Sequence, residues 1–166
     1  MTFKYIAGIF LIIGFSNFHL QSQTPAKGTL KISGQVEKQI VLTAEQVSKM
    51  KHVTAVLTDR GGKNVNYRGV SLQDLLGLAG VSTGSALRGE NLAKYLIVKC
   101  ADNYEVLFSL AEIDSSFTDR VIILADTTGG NPLPVDKGPF RLIVPGEKKP
   151  ARSAYQVREF VVKFAK

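Results

Sequence analysis

The last third of the chain gathers the residues best suited to chemistry with an anion. Asn131-Pro132-Leu133-Pro134 is followed by Gly138-Pro139-Phe140-Arg141-Leu142-Ile143-Val144-Pro145-Gly146 and then by Lys148-Lys149-Pro150-Ala151-Arg152-Ser153. A planar guanidinium offers paired donors to a phosphate or carboxylate, and a Pro-Gly turn lets backbone N–H groups approach an anion closely. Residues 137–166 hold eight Lys or Arg against Glu147 and Glu159, whereas residues 23–136 balance twelve basic with twelve acidic residues. Nearly all of the net charge of +7 therefore sits in the last thirty residues. Such a surface suits a phosphate, an acidic polymer or an anionic membrane face. A solvated strand edge, with lysines discouraging aggregation, accounts for it equally well.

Other chemistries have less to stand on. His19 lies in the leading apolar segment, which leaves His52 as the one histidine beyond it and argues against a histidine-cluster metal site or a Ser-His-Asp triad. His52 opens an alternating segment and reads as a strand residue. No GxxxxGK[ST] or GxGxxG is present, and the scattered carboxylates mark no acid/base pair. Cys100, in Leu96-Ile97-Val98-Lys99-Cys100-Ala101, reads as a packed, inert thiol on an apolar strand.

The elements that must position these residues are short. Alternation predicts strands over 29–36, 39–42, 52–58, 63–68, 94–101, 105–109, 120–125, 140–144 and 157–164, with Asp59-Arg60-Gly61-Gly62 and Asp102-Asn103-Tyr104 as turns. Thr43 with Gln46, and Ser109 with Glu112, are capping-box pairs for single short helices. Ser71 caps a second helix carrying Leu72, Leu75, Leu76 and Ala79 and ending at Gly80. Residues 81–93 and 126–138 read as loops from their glycine, serine, asparagine and proline content. The expected fold is α+β: a single domain rich in short strands, a mixed sheet or sandwich-like arrangement, with a few short helices.

At the N-terminus Lys4 precedes an apolar run from Tyr5 to Phe15 that turns polar at Ser16 and Asn17, the layout of a signal peptide. The expected organisation is a signal peptide over 1–22, a linker over 23–28 and one domain over 29–166, giving an exported protein, periplasmic or secreted. The apolar run falls short of the roughly 20 residues a bilayer span needs, so no transmembrane segment is expected after cleavage.

Five segments in order carry a family resemblance. They are Tyr67-Arg68-Gly69-Val70-Ser71-Leu72-Gln73-Asp74-Leu75-Leu76, Ala101-Asp102-Asn103-Tyr104, Phe108-Ser109-Leu110-Ala111-Glu112, Leu124-Ala125 with Gly130-Asn131-Pro132-Leu133, and the Arg141 to Gly146 segment. With them the chain resembles the molybdopterin-binding domain of the sulfite oxidase family, in a short stand-alone form. The resemblance implies a pterin-phosphate site built from Arg141, the Pro145-Gly146 backbone and Arg152, with Lys148, Lys149 and Ser153 beside them. The competing reading is that Arg141 pairs with a carboxylate such as Asp102.

Two departures from the family pattern matter. Catalytic members ligate molybdenum through a cysteine on the segment that here reads Val56-Leu57-Thr58-Asp59-Arg60-Gly61-Gly62, which has no thiol. The leader also lacks paired arginines, so it does not match the route by which such enzymes are exported folded and loaded. The expectation is a module that binds an anionic small molecule or pterin-like ligand, with no catalytic residue, no metal and no bound cofactor, molybdopterin being the one the resemblance implies. The alternatives are a molybdopterin-dependent oxidoreductase or its subunit, and an envelope scaffold with a protein partner; no nucleic-acid partner is expected.

Overall fold

The computed structural model describes residues 28–165. The expected signal peptide over 1–22 and all but the last residue of the expected linker over 23–28 lie outside the described residues. Ten strands and two short helices follow one another as β1 (Thr29–Gly34), β2 (Ile40–Thr43), α1 (Ala44–Ser48), β3 (Val53–Thr58), β4 (Asn64–Ser71), α2 (Leu72–Leu78), β5 (Lys94–Cys100), β6 (Glu105–Ser109), β7 (Ile123–Thr128), β8 (Asn131–Pro132), β9 (Arg141–Ile143) and β10 (Val157–Phe164). Both capping boxes form: Thr43 Oγ1 accepts from the Gln46 N–H at the start of α1, and Ser109 and Glu112 close the single 3-10 turn Leu110–Glu112. Ser71 Oγ caps α2 by accepting from the Asp74 N–H at 3.0 Å.

The strands make two five-stranded sheets. The first runs β2-β1-β10-β5-β6, with β1 and β10 parallel and the other pairs antiparallel. The second runs β3-β4-β7-β8, with β9 also on β7. The main core holds Leu30 and Ile32 of β1, Leu96 and Val98 of β5, Phe160 and Val162 of β10, and Leu72, Leu75 and Leu76 of α2. The second sheet is buried on both faces around β7 and β9. Val70, Leu124 and Leu142 turn to the main core, while Ala55, Leu57, Tyr67, Ile123, Ala125 and Ile143 form a smaller cluster behind it.

Three expectations need adjusting. The strand expected over 120–125 is Ile123–Thr128, because Arg120 to Ile122 precede the sheet and the Ile122 carbonyl instead accepts from the Leu72 N–H. The 126–138 loop begins inside that strand and contains β8, paired through Thr127–Pro132 and Thr128–Asn131. The 81–93 loop contains two 3-10 turns, Gly84–Ala86 and Gly89–Ala93.

Between β4 and β7 the register jumps: Arg68 faces Thr127 but Gly69 faces Ala125, so Asp126 is an extra, bulged residue. Bulges re-aim side chains. Here the Asp126 carboxylate meets His52 Nε2 at 3.0 Å, while His52 Nδ1 lies 2.7 Å from the Met50 carbonyl. His52 is thus not the strand residue expected: it precedes β3, which begins at Val53, and ties the approach to that strand onto the bulge of β7.

Candidate functional site

One end of the second sheet opens into a cleft of about 570 Å³. Its floor is Arg141, the first residue of β9, and Tyr67 of β4. Its walls come from three connections: Asp59-Arg60-Gly61 between β3 and β4, Leu133, Pro134 and Lys137 after β8, and Pro150 and Tyr155 before β10. Arg60, Lys137 and Arg141 face one carboxylate there, Asp59. That carboxylate is already engaged, accepting from the Gly61 and Lys63 N–H groups at 2.8 and 2.9 Å.

Arg141 is 5% exposed. Its guanidinium lies near two aromatic rings, 4.9 Å from the Tyr67 centroid and 4.2 Å from that of Tyr155. Nη1 donates to Tyr67 Oη, and Nε donates to the Ser153 carbonyl at 3.4 Å. All of these partners are neutral. Among the described residues no carboxylate pairs with Arg141, and Nη2 donates to no protein atom. The competing Arg141–Asp102 pair does not form. Cation–π contact offsets part of the cost of burying the charge, but a buried cation lacking an anionic partner remains poised to accept one.

The other residues expected at this site disperse. Arg152 turns away from the cleft: its Nε donates to Glu147 at 2.7 Å, its Nη1 to Glu112 at 3.2 Å and to the Leu107 carbonyl at 3.1 Å. It also stacks 4.3 Å over the Phe108 ring. Burial alone would push the Glu112 carboxyl up, but the Ser109 N–H and the Arg152 and Arg120 guanidiniums outweigh it and hold Glu112 below its ordinary value. Ser153 is buried, and its Oγ accepts from the Val144 N–H at 3.0 Å, a fold-holding bond. Pro145 and Gly146 form the turn after β9, with Gly146 at a φ of 76°, and neither lines the cleft. Lys148 and Lys149 are exposed beside Pro150 without lining it.

Of the seven residues singled out in the sequence, Arg141 alone lines the cleft. Arg60, Lys137 and Tyr155 gave no sequence signal beyond their charge or aromaticity, whereas Tyr67 lay inside a motif segment. Cys100 belongs to the first sheet and is 7% exposed. Burial, with the Asp102 charge nearby, pushes its thiol up to about 12, so it stays protonated at neutral pH. The Asp59 turn, where the resemblance places the metal-binding cysteine of catalytic members, does line the cleft, and it carries a carboxylate and no thiol. Among the described residues no cluster of three His, Cys, Asp or Glu could hold a metal ion, and no helix is long and apolar enough to cross a membrane.

Comparison with known proteins bears on this arrangement. No curated protein matches the chain. Among solved structures, the sulfane dehydrogenase SoxCD from Paracoccus pantotrophus is similar at 24% identity and a TM-score of 0.63, over 81% of this chain and 37% of that one. The chain therefore spans little more than a third of that protein, and the likeness is one of fold. The family model for the oxidoreductase molybdopterin-binding domain matches residues 18–162. With most of its length matched and the fold shared, the chain belongs to the oxidoreductase molybdopterin-binding domain family.

Proposed function

We propose that this protein is an exported binding module that holds a pterin-like or phosphate-like anion in the Arg141 cleft without molybdenum redox catalysis. The observation that carries the reading is the buried Arg141 guanidinium, in cation–π contact with Tyr67 and Tyr155 and served by no carboxylate among the described residues. Arg60 and Lys137 add positive charge at the rim. Molybdopterin fits in part: the cations and tyrosines suit its anionic organic portion, but the cleft supplies no soft thiolate for the metal. Cys100, buried and protonated in the other sheet, cannot stand in. A molybdopterin-dependent oxidoreductase subunit is the second reading, and its support is that the Asp59 turn faces the same cleft.

Titration calorimetry with inorganic phosphate and a pterin phosphate tests the binding. Arg141→Ala is expected to weaken binding by about 1.5 to 3 kcal/mol, the range for hydrogen bonds to charged groups. Arg141→Lys should recover part of it, since an ammonium lacks the planar fork. Small, equal losses at Lys148, Lys149, Arg158 and Lys163, steeply dependent on salt, would instead identify a general polyanion surface and overturn the pocket. For export, N-terminal sequencing of protein from the host's envelope should begin near Gln23. A cytoplasmic protein retaining Met1 would defeat that part.

A further inference from the structure

Gln156 stands beside Tyr155 with a φ of 50°, in the left-handed region that residues with side chains rarely adopt. Such backbone strain persists only where the surroundings enforce it. The surroundings are three successive carbonyls of the loop after β8. The Gln156 N–H donates to the Lys137 carbonyl at 3.2 Å, and Nε2 donates to those of Asp136 and Val135 at 3.2 and 3.4 Å. On its other side the Gln156 carbonyl accepts from the Ala101 N–H at 3.0 Å, anchoring the residue to the end of β5. One residue therefore clips together two cleft walls: the loop carrying Lys137, and the segment carrying the ring that covers Arg141. The Lys137 ammonium, 5.9 Å from the Tyr155 centroid, lies across the same junction.

We propose that Gln156 is the positioning residue of the cleft, holding Tyr155 over Arg141 and Lys137 at the rim so that the cations converge on one anion. The inference rests on the anion-binding reading for its consequence, but the clip itself can be observed without ligand. Glycine adopts a φ of 50° freely, so Gln156→Gly keeps the backbone path, removes the side-chain clip and relieves the strain. Its thermal midpoint should stay within about 2 °C of wild type. In the ligand-free protein, the Nε–H resonance of Arg141, sheltered by Tyr155 and bonded to Ser153, should broaden or vanish at neutral pH. In calorimetry with inorganic phosphate, affinity should fall about fivefold or more while the midpoint holds.

An unchanged, sharp Arg141 resonance in Gln156→Gly overturns the positioning role, whether or not phosphate binds. A lost resonance with wild-type protein that takes up no phosphate supports the clip and defeats the anion reading instead. Should Gln156→Gly unfold at ordinary temperature, the decision passes to Gln156→Asn, which tolerates the left-handed region but has a shorter amide. A folded Asn variant with an intact resonance then makes the residue a stability element and overturns the proposal, and so does an Asn variant that also unfolds. A folded Asn variant with a lost resonance supports the clip.

Discussion

Gly69→Ala is expected to leave no stable folded protein, or to cost more than about 3 kcal/mol, with loss of the cooperative transition in chemical denaturation as the measurement. A Cβ at Gly69 would lie 2.1 Å from the Leu124 carbonyl oxygen, 2.5 Å from Ala125 Cα and 2.6 Å from the Leu124 carbonyl carbon. All three are backbone atoms of β7. That stretch is bonded to β4 on one side and to β9 on the other, so it cannot retreat without breaking one ladder or both. The requirement is steric: the chains close in where the Asp126 bulge changes the register. Gly77 is the control, since it is exposed in α2 and a Cβ there meets nothing within 4 Å. Gly77→Ala should raise stability by about 0.5 to 1 kcal/mol through helix propensity.

Arg152→Ala is expected to lower stability by about 2 to 3 kcal/mol while leaving phosphate binding unchanged, which separates it from Arg141→Ala. The guanidinium bridges Glu147 and Glu112 and covers the Phe108 ring, so its removal takes the ion pair from Glu147, leaves Glu112 with Arg120 alone and uncovers an apolar surface. The effect should depend on pH with a definite sign. Glu112 titrates lower folded than unfolded, so its contribution is fully present above the unfolded value of about 4.5 and disappears as pH falls through the depressed folded one. Wild type should lose stability over that acid range, and Arg152→Ala should lose less. Denaturation midpoints from neutral pH down to about pH 3 measure both curves; parallel curves would show that Arg152 does not hold Glu112.

What the sequence revealed, and what it hid, follows the range of the interaction. The pairs Thr43–Gln46 and Ser109–Glu112 are three residues apart, and each formed as a capping box because only local backbone is needed. Arg141 was legible through its segment, since β9 is a short buried strand whose first residue reaches the cleft. Arg152 carried the same charge and lay in the same basic run, but its fate was set by Glu112, forty residues earlier in sequence. No spacing rule announces such a partner. The meeting of Tyr67, Arg141 and Tyr155 is hidden for a similar reason, since it exists only once β4, β9 and the approach to β10 come together. The Asp126 bulge was equally invisible. It shifts pairing by one residue and turns an apparent loop acid into the partner of His52.

The place of β10 in the first sheet sets an order of events. β10 lies between β1 and β5, so the strand formed by Val157–Phe164 joins two antiparallel pairs that are complete much earlier along the chain. A polypeptide delivered from its N-terminus presents β1–β2 and β5–β6 as separate ribbons, with Leu30, Ile32, Leu96 and Val98 lacking the strand that bridges them. Lys31 must wait for Glu159, the longest loop closure in the sheet, before that core can seal. Until this stretch has been synthesised the first sheet has no way to close, and the two ribbons keep the apolar faces of Leu30, Ile32, Leu96 and Val98 without their bridging strand.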